Sequence, residues 1–228
     1  MNRRLFLTFS VCFAIIGLAA CQTAPPRDVQ AQALVDQSKI TIDYFKTRSK
    51  DSTALFLAAL KEARGVIIFP DVFQAGAGIG GQGGSGVMLA RTSTGEWGYP
   101  AFLSIGGASL GLQLGVQSTQ YVLLLMTDRA VEAVISSPGQ IGLDTQATFG
   151  ELSAGNVSST TFKGASVVGF TKGDGIFAGA SLSGAGISAK NDWTEAYYGE
   201  FLTVRDVVID GKGSNPGASG LREALQVR

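Results

Sequence analysis

The chain has 228 residues, 45% of them apolar, with 18 acidic and 18 basic side chains and no histidine. That length and apolar content support one globular domain with extensions. Balanced charge argues against a nucleic-acid interface, and the absence of histidine removes the usual general base and the commonest metal ligand. Glycine, at 31 residues, is well above the ordinary usage of about 7% but shows no collagen period.

Residues 1–21 read as a lipoprotein signal peptide. Arg3 and Arg4 form a positive start, and Leu5 to Leu18 form an apolar run too short for a membrane span. Leu18-Ala19-Ala20-Cys21 resembles the lipobox of bacterial lipoproteins, which implies acylation (palmitate among the chains) on Cys21. With Gln22 following, the resemblance implies the outer membrane, facing the periplasm, within a bacterial cell envelope. Cys12 would leave with the leader, so the mature chain is expected to hold no disulfide. Removing Arg3 and Arg4 leaves 16 basic residues against 18 acidic ones.

Residues 22–30, with Pro25-Pro26, read as a tether. From Val29 to Arg48, Ala31, Leu34, Val35, Ile42 and Phe45 fall at helical spacing. Asp51-Ser52 caps a second expected helix, Thr53 to Arg64, which Gly65 stops. These helices carry Lys39, Lys46, Arg48, Lys50, Lys61 and Arg64 against Asp36, Asp43, Asp51 and Glu62. They form either a solvated face or a mildly basic surface for anionic headgroups.

Val66 to Phe69, closed by Pro70, reads as a buried strand. A glycine loop is expected from Gly76 to Gly86, followed by a strand from Val87 to Arg91. Ala101 to Val116 alternates glycines with short apolar pieces, and Tyr121 to Met126 is apolar enough to be buried on both faces. Glycines inside strands mark bulges, bends or close backbone approach, so a strongly curved sheet is expected. Asp128 to Ile135 reads as a helix ended by Ser136-Ser137-Pro138-Gly139. Short strands are expected within 140–171, and a second glycine-rich section runs from Gly173 to Gly186. Phe201 to Ile209 is open between strand and helix.

Enzymatic motifs lack their partners. Gly76-x-Gly78-x-x-Gly81 matches the dinucleotide fingerprint but is followed by strand rather than helix. Gly107-x-Ser109-x-Gly111 matches the nucleophile elbow, yet no histidine exists to activate the serine. The carboxylates Asp71, Glu96, Asp144, Glu151 and Asp174 are scattered, without calcium-loop spacing. The reading is therefore a non-enzymatic protein with no catalytic residue, cofactor or metal. Two aromatic clusters, Trp97-Tyr99-Phe102 and Trp193-Tyr197-Tyr198, are either core packing or a membrane-interface patch.

The segments Ala63-Arg-Gly-Val-Ile-Ile-Phe-Pro70, Gly83-Gly-Ser-Gly-Val-Met-Leu-Ala-Arg91, Trp97 to Gly107, Gly111-Leu-Gln-Leu-Gly-Val-Gln117 and Lys172 to Gly179, with Asn191 and Tyr197-Tyr198-Gly199, resemble the SYLF domain. The resemblance spans roughly residues 30–205. It implies a lipid-binding module for phosphoinositide or other anionic phospholipid, with actin association in some eukaryotic members. In those members a basic N-terminal segment carries much of the binding; here acids dilute it. The expected fold is α+β: a mainly antiparallel, highly curved or barrel-like glycine-rich sheet with N-terminal helices packed on it. The domain is expected over 31–209, with 210–228 as a C-terminal tail. The expected function is a membrane-anchored bacterial lipoprotein that binds phospholipid headgroups through Lys39, Lys46, Arg48, Lys50, Lys61 and Arg64. Trp97, Tyr99, Trp193, Tyr197 and Tyr198 are the interface aromatics. The alternative is a structural or protein-interaction module of the cell envelope.

Overall fold

A computed structural model describes residues 24–47, 50–136, 167–172, 175–177 and 185–227. Cys21 and the leader, Arg48, and the short strands expected between 140 and 166 lie outside the described residues. The order is α1 (Arg27–Lys46), α2 (Lys50–Glu62), β1 (Gly65–Ala90), β2 (Ala101–Leu125) and α3 (Asp128–Ser136). There follow β3 (Val167–Thr171), β4 (Gly175–Phe177), β5 (Ala185–Ala189), α4 (Asn191–Tyr198), α5 (Val204–Val208) and α6 (Ser219–Ala224), the last entered through a 3-10 turn at Pro216–Ala218. The architecture is α+β, as expected. Among the described residues the sheet runs β1-β2-β3-β4 with β5 also on β2, every pairing antiparallel, without closing into a barrel.

Helix α1 forms where the apolar spacing placed it, burying Ala31, Leu34, Val35, Ile42 and Phe45 on one stripe. Two polar residues share that stripe without cost. The hydroxyls of Ser38 and Thr41 donate to the carbonyls of Leu34 (2.7 Å) and Gln37 (3.0 Å) one turn back. Asp28 in the first turn and Lys46 in the last complement the helix dipole.

The glycine segment expected as a loop is strand. β1 continues through Gly76 to Gly86 and pairs with the equally glycine-rich middle of β2, Gly76 opposite Gly115 and Gly83 opposite Gly106. Glycine carries no strand signal of its own, and this pairing partner lies more than twenty residues away, so local pattern could not reveal it. A register shift between Gly76 and Gly78 bends the ribbon, and the two ends of β1 then lie against each other. Arg91 N–H donates to Arg64 O at 2.8 Å. A Cβ added to Gly84 would sit 2.5 Å from Asp71 O, and one added to Gly86 would overlap the Ile68 carbonyl and the Phe69 ring.

This bend gathers Val66–Phe69, Val87–Ala90, Ala101–Leu103 and Tyr121–Leu125 into one body buried on both faces. Val66, Ile68, Val87, Leu89, Val122 and Leu124 pack with α1, α2, α4 and α6. Their alternates Ile67, Phe69, Met88, Ala90, Leu123 and Leu125 pack with α3 and α5. In the middle of the ribbon Phe73 is 51% exposed, while Gln82 is buried, its Oε1 accepting from Gln74 Nε2 at 3.1 Å.

Within 201–209 the element is helix, α5 over Val204–Val208, started by a capping box of Thr203 and Asp206. The stretch read as a tail packs inside the body: Ala218, Leu221, Ala224 and Leu225 are buried, Leu225 completely.

Gly84→Ala is expected to lower stability by about 1–3 kcal/mol through overpacking against a fixed backbone. Gly81→Ala meets nothing nearer than Gly107 O at 3.9 Å and serves as control. Thermal unfolding of the two variants checks it, and equal melting temperatures would remove the close approach as a determinant of the fold.

Candidate functional site

The two aromatic clusters, far apart in sequence, meet where the C-terminus docks on the start of β2. Trp97 is fully buried and its Nε1–H donates to Leu225 O at 2.9 Å. Arg91 lies over the Trp97 ring at 4.4 Å and donates to the carbonyls of Ala63, Leu60 and Gly95. Arg222 donates to Trp97 O at 2.8 Å and covers the Tyr99 ring at 4.4 Å. Tyr198 OH donates to Pro100 O at 2.8 Å, and the Tyr197 ring meets Phe102 and Tyr198 at 5.1 and 5.0 Å. Burial pushes both tyrosine hydroxyls well above their ordinary range. Of the five expected interface aromatics, Trp97 and Tyr197 are buried and Tyr99, Trp193 and Tyr198 half-buried; Trp97, Trp193 and Tyr197 pack in one core cluster, Tyr99 against the other, and Tyr198 against both.

Four of the six expected cations have described side chains, and they are held in different ways. Lys46 is held internally, its Nζ donating to Ala224 O (2.8 Å) and Gln226 O (3.0 Å) at the end of α6. Lys39 pairs with Asp43 one turn on at 2.6 Å, which raises its pKa through that hydrogen bond and charge. Lys61 is exposed near the end of α2, and Arg64 is 3.9 Å from Asp128. Arg48 lies outside the described residues, and Lys50 opens α2 with its side chain undescribed.

Three further cations were not singled out. Lys190 Nζ donates to Ser85 Oγ at 3.0 Å and lies 3.4 Å over the Trp193 ring; burial lowers its pKa. Arg27, 64% exposed, pairs with Asp192 at 3.3 Å. Exposed Lys172 follows β3, its backbone N–H on Gln120 O. The signal for two of them was local: Lys190 immediately precedes a helix start, and Lys172 opens one of the segments that resemble the SYLF domain.

Catalytic machinery does not assemble among the described residues. Ser109 lies within β2 opposite Gly80, whereas a nucleophile elbow needs a sharp strand-to-helix turn. Gly76 to Gly81 is paired strand with no helix behind it. No group of three or more acidic, histidine or cysteine residues could hold a metal among the described residues. A cleft of about 320 Å³ between α3, β5, α4 and α5 is lined by Leu103, Val134, Ile187, Val204, Thr203 and Arg205. Its one cation is paired with Glu132.

A family profile described as "Ysc84: Las17-binding protein actin regulator" matches residues 106–228, just over half of the chain. The chain belongs to the SYLF, or Ysc84, family. Its match takes in the C-terminal segment that the core also takes in. Among curated relatives, Protein YSC84 of Saccharomyces cerevisiae is 29% identical over 74% of this chain and 37% of its own length. LAS seventeen-binding protein 3 of the same species is 30% identical over 70% of this chain and 35% of its own. SH3 domain-containing YSC84-like protein 1 of Bos taurus is 29% identical over 82% and 56%. The SYLF chain therefore spans between about a third and just over half of these relatives' lengths. Of these names, LAS seventeen-binding protein 3 describes a binding protein.

Within this SYLF chain, Lys46→Met is expected to lower stability by about 1–3 kcal/mol, because a charged donor to two carbonyls is lost. Chemical denaturation checks it; an unchanged midpoint would return Lys46 to the pool of cations available to a ligand.

Proposed function

We propose that the chain is a non-enzymatic module that binds phospholipid surfaces, held at the membrane by acyl chains on Cys21. One observation carries this reading. The outward stripe of α1 exposes Val29 and Ile40 by 51% and 64%, with Ala33 exposed between them, on a helix that begins six residues beyond Cys21. Six residues of chain reach at most about 20 Å, so an acylated Cys21 holds the first turn of α1 close to the headgroups. Among the described residues no helix is long and apolar enough to cross a membrane. The location that goes with this reading is the periplasmic face of a bacterial outer membrane. Lys39, Lys61 and Arg64 are the described candidates exposed enough to touch anionic headgroups, phosphoinositide-like or otherwise.

A second reading, a protein-interaction module of the envelope, draws on the name of the yeast relative LAS seventeen-binding protein 3 and on Phe201 and Ile209. These are 65% and 45% exposed on either side of α5. The yeast relatives are nearly three times longer than the matched part, so their named partner is not assigned to that part.

Co-sedimentation of residues 22–228, without acyl chains, tests the proposal with phosphatidylcholine vesicles and with vesicles containing phosphatidylglycerol, at two salt concentrations. Binding is expected to favour the anionic vesicles and to weaken as salt screens the contacts. Combined Lys39→Glu, Lys61→Glu and Arg64→Glu is expected to reduce it at least several-fold. No binding to either vesicle would leave the anchor as the sole membrane link. A single discrete protein adduct after crosslinking in cells would then favour the second reading.

A further inference from the structure

We propose that the open edge of β5, with the cleft beside it, binds an extended, uncharged peptide segment that adds a strand to the sheet. This protein contact goes beyond the membrane reading and needs no part of it.

Cleft and strand edge are one surface. Ile187, Ser188 and Ala189 follow one another along β5, and all three line the cleft of about 320 Å³. Successive side chains of a strand point to opposite faces, so three in a row mark its edge rather than one face. Ser188 and Ala189 are exposed, whereas Ile187 is buried.

The direction of the backbone groups follows from the pairing. β5 lies on β2 with Leu103 opposite Ala189 and Ile105 opposite Ile187. Just past the strand, Lys190 N–H donates to Phe102 O at 2.9 Å, so the backbone of Lys190 faces β2. Backbone groups alternate in direction along an antiparallel strand. Ser188 therefore faces β2 as Lys190 does, while Ile187 and Ala189 turn their N–H and C=O groups away from it. The Ser104 hydroxyl, donating to Ser188 O at 3.4 Å, agrees with this. Among the described residues no strand pairs with the outer edge of β5. An edge strand that stays unpaired ordinarily carries charge or proline, and Ala185–Ala189 has neither.

The cleft gives that edge a preference. Its floor is Leu103, Val134, Ile187 and Val204, and its one cation, Arg205, is neutralised by Glu132. Arg205 also donates to Ser136 Oγ at 3.3 Å, and Ser136 donates to Glu132 at 3.2 Å. These bonds tie the end of α3 to α5, so the two helical walls are set before a ligand arrives. Asn191, which also lines the cleft, holds Oδ1 without a hydrogen-bond partner; turning it to a peptide N–H gives up no bond at that atom. Two outward donors and two outward acceptors at strand spacing match a peptide main chain, and a lipid headgroup offers no such row. An added strand places every second side chain toward the uncharged floor. The occupant is thus extended chain with apolar residues at alternate positions.

The test selects a displayed library of random hexapeptides on the full chain, carrying Cys12→Ser and Cys21→Ser so that no thiol or acyl group takes part. Enriched sequences are expected to alternate apolar residues, and the best is titrated as a fluorescent peptide by anisotropy. Ala189→Pro removes one outward N–H and leaves the β2 pairing intact, because proline is tolerated on the open side of an edge strand. It is expected to weaken binding by about tenfold, as for a hydrogen bond whose partner is left unpaired. Ser136→Trp, which fills the cleft from an exposed position without touching β5, is expected to weaken it as well. N-methylation of alternate peptide amides is expected to abolish binding in one phase and spare it in the other. Thermal unfolding checks that each variant folds; should Ala189→Pro not fold, Ser136→Trp and the methylated peptides decide. No enrichment, or enriched peptides that bind both variants as tightly as the parent, would overturn the proposal. So would a concentration-dependent dimer that Ala189→Pro abolishes, since the edge would then pair with a second copy.

Discussion

Everything in this fold follows from one steric condition: the backbone of β1 must pass within contact distance of itself. Gly84 and Gly86 leave no room for a side chain where they face Asp71, Ile68 and Phe69. The bend at Gly76–Gly78 turns the ribbon so that this contact can form. Without it, the apolar runs at the two ends of β1 would lie at opposite ends of a long hairpin and neither could complete a core. With it, four short apolar segments become a sheet buried on both faces.

A second constraint fixes the helical layer. The carbonyl of Leu225 meets the buried indole of Trp97, Arg222 meets the carbonyl of Trp97, and Lys46 meets the carbonyls that end α6. Tail, α1 and the β1–β2 connection are thereby tied at one place. The cations involved sit on carbonyls and rings, where a charged donor is worth more than an exposed ion pair. Much of the basic complement is therefore structural, and counting lysines overstates what is left for a ligand.

Sequence pattern revealed the parts governed by local period: α1 from its apolar stripe, α3 from Ala130, Val131 and Val134, the buried strands from Val66–Phe69 and Tyr121–Leu125. Family and α+β class were legible from the same segments. The glycine strand was not, because its pairing is long-range and glycine lacks a propensity to read. The place of 216–225 in the core was hidden too, since a short helix of Leu221, Ala224 and Leu225 looks the same whether docked or free. The aromatic clusters were visible as clusters, but only the fold shows that Trp97 and Trp193 belong to one packing unit rather than to two surface patches.

The distribution of charge then decides which kind of membrane contact is physically open to this chain. A basic helix that recognises headgroups needs several unpaired cations on one face, each worth about 1 kcal/mol near an anionic surface. α1 offers Lys39 already paired with Asp43, and Asp28 and Asp36 beside it. Apolar transfer works on a different scale, about 25 cal/mol for every Å² removed from water, and needs no unpaired charge. On the proposed lipid-binding reading, exposed Val29, Ala33 and Ile40 of α1 add apolar area to what the exposed cations supply, and salt weakens only the electrostatic share.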